Sequence, residues 1–193
     1  MNLGAYPMHY VRSLPHTMNL YIFACEYLRN IEIGYANKLW AVSALDDKTS
    51  RQRWGKAQLM SRYSRGLIYS SADKTFTMPF VTESKPDDCT IDDIWDQRWE
   101  FPFAIHPLGG PDRLISLEVA KHSWPMLSTR INPTHAVNGI NGYTVFVANE
   151  IEQSQWNQIL EDLGDEIDSF PQQEEQRRAT HQRTARQQIL DRL

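Results

Sequence analysis

Glu83 and Lys85, in the run VTESK, stand at the acid–x–lysine spacing with which metal-dependent nucleases set a cation beside a lysine, and Asp87, Asp88, Asp92 and Asp93 follow. Carboxylate oxygens of this kind suit Mg²⁺, which would activate water for phosphodiester cleavage. The spacing is short and common, and these acids bracket a turn instead of continuing a strand. A small nuclease is therefore the alternative reading. His9, His16, His106, His122, His135 and His181 show no HExxH, HxH or paired Cys/His spacing, and Cys25 and Cys89 form no CxxC. Ser43, Ser70, Ser71 and Ser84 lack the glycines of a nucleophile elbow, and no Gly-rich phosphate loop is present. No catalytic residue, metal or cofactor is expected from these patterns.

A different concentration of side chains stands at Ser64–Phe80, SRGLIYSSADKTFTMPF, where aromatics alternate with hydroxyls. The chain also has six tryptophans in 193 residues, at positions 40, 54, 95, 99, 124 and 156. Most of these rings must serve the core, because burial of an aromatic is a large stabilising contribution. The net charge is −4, yet residues 36–66 hold Lys38, Lys48, Arg51, Arg53, Lys56, Arg62 and Arg65 against Asp46 and Asp47 alone. Such a basic face on an acidic chain can follow a phosphate backbone. Composition is that of a soluble protein, with 41% hydrophobic and 23% charged residues, no membrane-spanning run and no secretory leader; the cytoplasm is the expected location.

The elements that would position these groups follow from periodicity. Leu20, Phe23, Ala24, Tyr27, Leu28 and Ile31 recur at helical spacing, with Thr17 as cap and Gly34 as stop, and predict a helix in an extension over residues 1–36. KLWAVSAL reads as a buried strand and SRQRWGKAQLMSRY as a basic helix capped by Ser50. GLIYSS and TFTMPFVTES read as a hairpin. Trp99, Phe101, Phe103 and Ile105 alternate on one strand face; Pro79 places its strand at an edge or bulge, and Pro102 suggests an edge. LISLEVAKHSWPML and EIEQSQWNQILEDLG read as helices, and NPTHAVNGINGY is turn-rich. The resulting plan is α+β: an extension (1–36), one domain (37–166) and a polar tail or linker (167–193).

The order of these runs resembles the PUA-like superfamily, in particular its EVE and YTH-like domains. KLWAVSAL, RQRWGKAQ, GLIYSS, TFTMPFVTES, WEFPFAIHPLG and EIEQSQWNQIL match that order over residues 38–164. The narrower likeness is to the modified-base reader at the front of EVE–HNH restriction endonucleases, although SRGL replaces the usual Gly-Asp after the helix. The resemblance implies a mixed β-barrel with flanking helices. It also implies a non-enzymatic reader of double-stranded DNA carrying 5-methylcytosine or 5-hydroxymethylcytosine, acting in modification-dependent restriction or defence against phage; N6-methyladenine and modified RNA bases are alternatives.

A flipped base needs flat walls, polar contacts to its edge and cations for the backbone. Trp40, Trp54, Tyr69, Phe76 and Phe80 are the expected walls, and Ser43, Ser70 and Ser71 the polar contacts. Lys38, Arg51, Arg53, Lys56, Arg62 and Arg65 are the expected phosphate contacts. Expected partners are modified nucleic acid, a nuclease domain in a longer chain or on another protein, and a second copy docking through the N-terminal helix or tail. A plain protein-interaction module is the remaining alternative.

Overall fold

The run LYIFAC is apolar on both of its faces, and that decides its structure. In the computed structural model, which describes residues 17–124 and 145–170, Thr17–Cys25 is strand β1. Leu20 and Ile22 pack into one cluster and Tyr21, Phe23 and Cys25 into another. A continuous apolar run satisfies helical spacing by coincidence, while aromatic and β-branched residues buried on two faces suit a central strand. The helix expected from His16 is thus a strand as far as Cys25, and helix α1 covers only Leu28–Asn37.

The remaining elements are β2 (Leu39–Ser43), α2 (Asp47–Ala57), β3 (Arg65–Ser70), β4 (Thr75–Thr82), β5 (Thr90–Ile91) and β6 (Trp99–Pro107). They are followed by β7 (Ile115–Ser116), α3 (Leu117–Ser123), β8 (Asn149–Glu152) and α4 (Gln153–Leu163). The sheet order is β2-β6-β4-β3-β1-β8, with β5 added to β6 and β7 to β4. β1 pairs in parallel with β3 and antiparallel with β8, so residues 17–25 lie within the sheet and not in an extension ahead of it. The fold is α+β as expected. The path is open: among the described residues its end strands β2 and β8 do not pair, and barrel closure is not observed. The turn-rich 132–143 and the tail beyond residue 170 lie outside the described residues.

Both faces of the sheet are covered. Ile31 of α1 and Ala57 of α2 join Phe23, Trp40, Ile68, Phe80 and Phe103 on one side. Ala120 of α3 and Trp156, Ile159 and Leu163 of α4 join Leu20, Leu67, Tyr69 and Phe76 on the other. This two-sided burial explains why every residue of β3 is buried. Both prolines follow bulges, the alternative to an edge that Pro79 left open, in strands paired on two sides, so the edge expected from Pro102 is not found. The register slips beside Met78–Pro79 and beside Phe101–Pro102, where Met78 (φ 47°) and Phe101 (φ 58°) take left-handed backbone. Helix α2 begins one turn earlier than Ser50 suggested, because Asp46 accepts from the Lys48 and Thr49 amides and caps it.

A buried ion pair ties the segment after α4 to β3. Asp168 Oδ2 accepts from Arg65 Nε at 3.0 Å and from Trp156 Nε1 at 2.9 Å, and lies 2.8 Å from Arg65 Nη2. Removing one partner of such a pair costs about 3–5 kcal/mol, since the other charge stays buried.

Two glycines give opposite expectations. A Cβ on Gly66 would stand 2.0 Å from the ring of Phe80, its cross-strand partner, whereas one on Gly55 in α2 meets nothing within 4 Å. Gly66→Ala is expected to destabilise the fold by about 1–3 kcal/mol, and Gly55→Ala to stabilise it by about 0.5–1 kcal/mol. Urea denaturation of both variants checks the two signs.

Candidate functional site

Three tryptophans meet on the side of the sheet that α1 and α2 cover. Trp40 comes from β2, Trp99 opens β6, and Trp95 belongs to the connection ahead of it. The ring centroids of Trp95 and Trp99 are 4.6 Å apart and the rings stack at 25°. Both are edge-on to Trp40, at 6.3 Å and 5.9 Å. The sequence reads IWDQRW here, and Trp95 is buried while Asp92, Asp93, Asp96, Gln97 and Arg98 around it are exposed. A loop that buries one large ring among charged neighbours is organised around that ring.

Local sequence fixes the arrangement. Gly34 is not the stop of α1 but an interior position of it. A Cβ there would lie 2.7 Å from the Trp40 indole, so only glycine lets the helix rest on that ring. Asn30, one turn earlier, presents its carbonyl to Trp95 Nε1 at 3.0 Å. The other two indoles differ: Trp40 Nε1 and Trp99 Nε1 are buried with no hydrogen-bond partner among the described residues. Each such donor costs about 1–3 kcal/mol, and an orphaned pair in one aromatic cluster calls for an explanation.

Beside the cluster, an open cavity of about 480 Å³ lies between α2, the end of β2, β5 and the start of β6. Trp54 forms one wall and stacks on Phe101 at 5.3 Å and 30°. Glu100, 5% exposed, lies in the lining and accepts from Ser50 Oγ at 2.6 Å and Arg53 Nη1 at 3.3 Å. Arg51 and Arg98 stand exposed at the rim.

The residues expected to form a single cage are divided. Trp40 and Phe80 belong to the cluster facing α1 and α2, and Trp54 packs against its edge. Tyr69 and Phe76 lie on the opposite face, where Phe76 contacts both Tyr69 (5.0 Å) and Trp124 (5.2 Å). Neighbouring side chains on a strand point to opposite faces, so Tyr69 on β3 cannot share a pocket with Trp40. Ser70 donates to Asp73, and the Ser71 hydroxyl donates to the Cys25 carbonyl, so both serve turns. Ser43 contributes its carbonyl to Arg53.

Among the expected phosphate contacts, Arg53 and Arg65 are buried in ion pairs with Glu100 and Asp168 and cannot reach a backbone. Lys38 is exposed in left-handed backbone at the end of α1. Arg62 is exposed over the Tyr63 ring, and Lys56 is half-buried on α2. Trp95 and Trp99 were missing from the expected set; the signal was available in two tryptophans four residues apart across a polar DQR. Glu83 approaches His106 Nδ1 at 3.9 Å, and no group of three His, Cys, Asp or Glu among the described residues is placed to hold a metal ion. No described helix is long and apolar enough to cross a membrane.

No protein-family model matches the chain, and no curated protein matches it. Among solved structures the chain is similar to YTH domains. The YTH domain of the Zygosaccharomyces rouxii MRB1 protein, in complex with N6-methyladenosine RNA, is 13% identical over 82% of this chain and 94% of that one, with a TM-score of 0.49. The Toxoplasma CPSF4-YTH domain in apo form is 17% identical over 81% and 91%, with a TM-score of 0.44. The mmi1 YTH domain in an RNA complex is 11% identical over 75% and 80%, with a TM-score of 0.46.

The cysteines test the description of the cavity. Cys89 lies exposed in its lining, whereas Cys25 is buried, donates to the Tyr27 carbonyl, and has its thiol pushed up to about 11 by burial. At pH 8 Cys25 is then about one part in a thousand thiolate, and the thiolate is the reactive form. Burial and the nearby Asp87 and Asp88 raise Cys89 too, which slows but does not block it. Alkylation followed by mass spectrometry is expected to give one adduct, at Cys89, in the folded protein and two in urea.

Proposed function

We propose that this chain is a binding module for a methylated base in single-stranded RNA, and that Trp40, Trp95 and Trp99 form the base pocket. The orphaned indole N–H of Trp40, edge-on to the stacked Trp95 and Trp99, carries the reading. A base entering between Trp95 and Trp99 replaces one ring–ring stack with two base–ring stacks, each worth about 1–3 kcal/mol. Acceptor atoms on its edge would satisfy the Trp40 donor, whose ring stands at 79° and 76° to the other two and is otherwise buried alone. A methyl group on the base adds apolar surface to a pocket walled by indoles, which favours the methylated form.

The charges favour a single strand over a duplex. A duplex reader must take its base out of the stack and cover phosphates on both sides of it. Here the net charge is −4, and Arg53 and Arg65 are consumed by internal ion pairs. A single strand presents an unpaired base and asks for fewer cations. The expected reader of 5-methylcytosine in duplex DNA is the competing outcome.

The test is a titration at fixed moderate salt. Its ligands are single-stranded RNAs with adenosine, N6-methyladenosine, cytidine or 5-methylcytidine, and duplex DNA with cytosine, 5-methylcytosine or 5-hydroxymethylcytosine. One methylated RNA is expected to bind at least about tenfold more tightly than its unmethylated match. Trp95→Ala is expected to remove that preference and, because the ring is buried, to lower the denaturation midpoint; Tyr69→Ala, on the other face, is expected to retain the preference in whatever fraction folds. Preference for a modified duplex over every RNA, or equal binding to all ligands, would sink the proposal.

A further inference from the structure

The cavity beside the tryptophan cluster has a construction of its own. Its volume, about 480 Å³, falls in the range of small-ligand sites. Its aromatic wall is Trp54, half-buried and backed by Phe101, so the ring is held flat and is not free to swing. Arg51 and Arg98 at its rim have no carboxylate within ion-pair distance among the described residues, although Asp47 and Asp88 line the same cavity.

Glu100 is the informative group. An ionised carboxylate can accept about four hydrogen bonds, and among the described residues Glu100 accepts from Ser50 and Arg53 alone. Arg53 and Ser50 hold it in place, and it keeps lone pairs for a donor in the cavity. A flat ring to stack on, a carboxylate for amino donors and guanidiniums for phosphate together make a nucleotide site. The carboxylate selects bases with an exocyclic amino group, because uracil offers no such donor and its carbonyl oxygens would face a negative charge.

The position fits the neighbouring nucleotide of one bound strand. Trp99 and Phe101 are two residues apart on β6, about 7 Å of strand rise, and both rings enter the cluster facing α1 and α2. We infer that this cavity is a second subsite, taking the nucleotide next to the methylated base and requiring an amino-bearing base there. The inference rests on the function proposed above.

Its test uses short single-stranded RNAs that share the methylated base and carry cytidine or uridine on each side of it in turn. At one of the two positions cytidine is expected to bind about tenfold more tightly than uridine, as loss of a stacked and hydrogen-bonded base implies. Trp54→Leu is expected to weaken the cytidine-flanked strand to the level of the uridine-flanked one, and Arg51→Ala, which removes a phosphate contact, to weaken both strands by a similar factor. Both should leave binding of the free methylated nucleoside unchanged, because neither side chain belongs to the tryptophan cluster. Equal affinity for both flanks, or variants that bind the flanked strand as the parent does, overturns the subsite. If no methylated RNA binds, the function proposed above has failed and the cavity is judged by itself. In that case cytidine 5′-monophosphate is expected to shift the Trp54 indole N–H resonance, assigned by its loss in Trp54→Leu, with no shift from uridine 5′-monophosphate. No shift from either nucleotide overturns it.

Discussion

Backbone pairing of β6 is the constraint on which the binding surface depends. Its first residues bond to β2 on one side and β5 on the other, and its last three bond to β4. To serve these neighbours the strand bulges at Phe101, whose φ of 58° is costly for a ring-bearing residue. The strain is held in place by packing of Phe101 against Trp54 and Phe146. Alternation along the strand sends Trp99 and Phe101 to the same core face, and Glu100 and Phe101 line the cavity. One strand therefore sets a tryptophan cluster and a polar cavity side by side.

What the sequence disclosed was mainly what local pattern controls. The hairpin of β3 and β4, the alternation of β6 and the amphipathic face of α4 follow from periods of two and 3.6 residues, and each is present. β1 was misread for a physical reason: a strand buried on both faces has no alternation, and its apolar run imitates a helix. The bulges could be narrowed to Pro79 and Pro102, but whether these marked an edge or an interior kink depends on strand order, which local pattern does not contain.

The site was legible only in part, because its logic is long-range. Arg53 and Arg65 look like surface cations in a basic segment. Their carboxylate partners stand 47 and 103 residues away in the chain, and burial of both pairs turns apparent phosphate contacts into internal braces. The aromatic and hydroxyl run Ser64–Phe80 drew attention by density, yet β3 and β4 spread its rings over two faces of the sheet. Trp95 and Trp99 looked like ordinary core residues. Only the folded chain shows that Trp95, in a loop surrounded by charge, stacks on Trp99 at the start of β6.

The tryptophan cluster is closed, and its closure has energetic consequences. Stacking of Trp95 on Trp99 gives the empty site about 0.5–1.5 kcal/mol beyond simple burial, while the two unpartnered donors each oppose it by about 1–3 kcal/mol. Burial of each ring adds about 1.5–3 kcal/mol on the side of closure, so a flat ligand that enters must offset the stack and the burial it displaces. An apolar intruder would separate the rings and leave the donors unsatisfied. Under the proposed function a base would meet both terms, its faces replacing the stack and an acceptor on its edge taking the Trp40 N–H. Under that proposal, selectivity for a nucleobase over an apolar flat molecule rests on the Trp40 donor, which stays unsatisfied in the closed cluster.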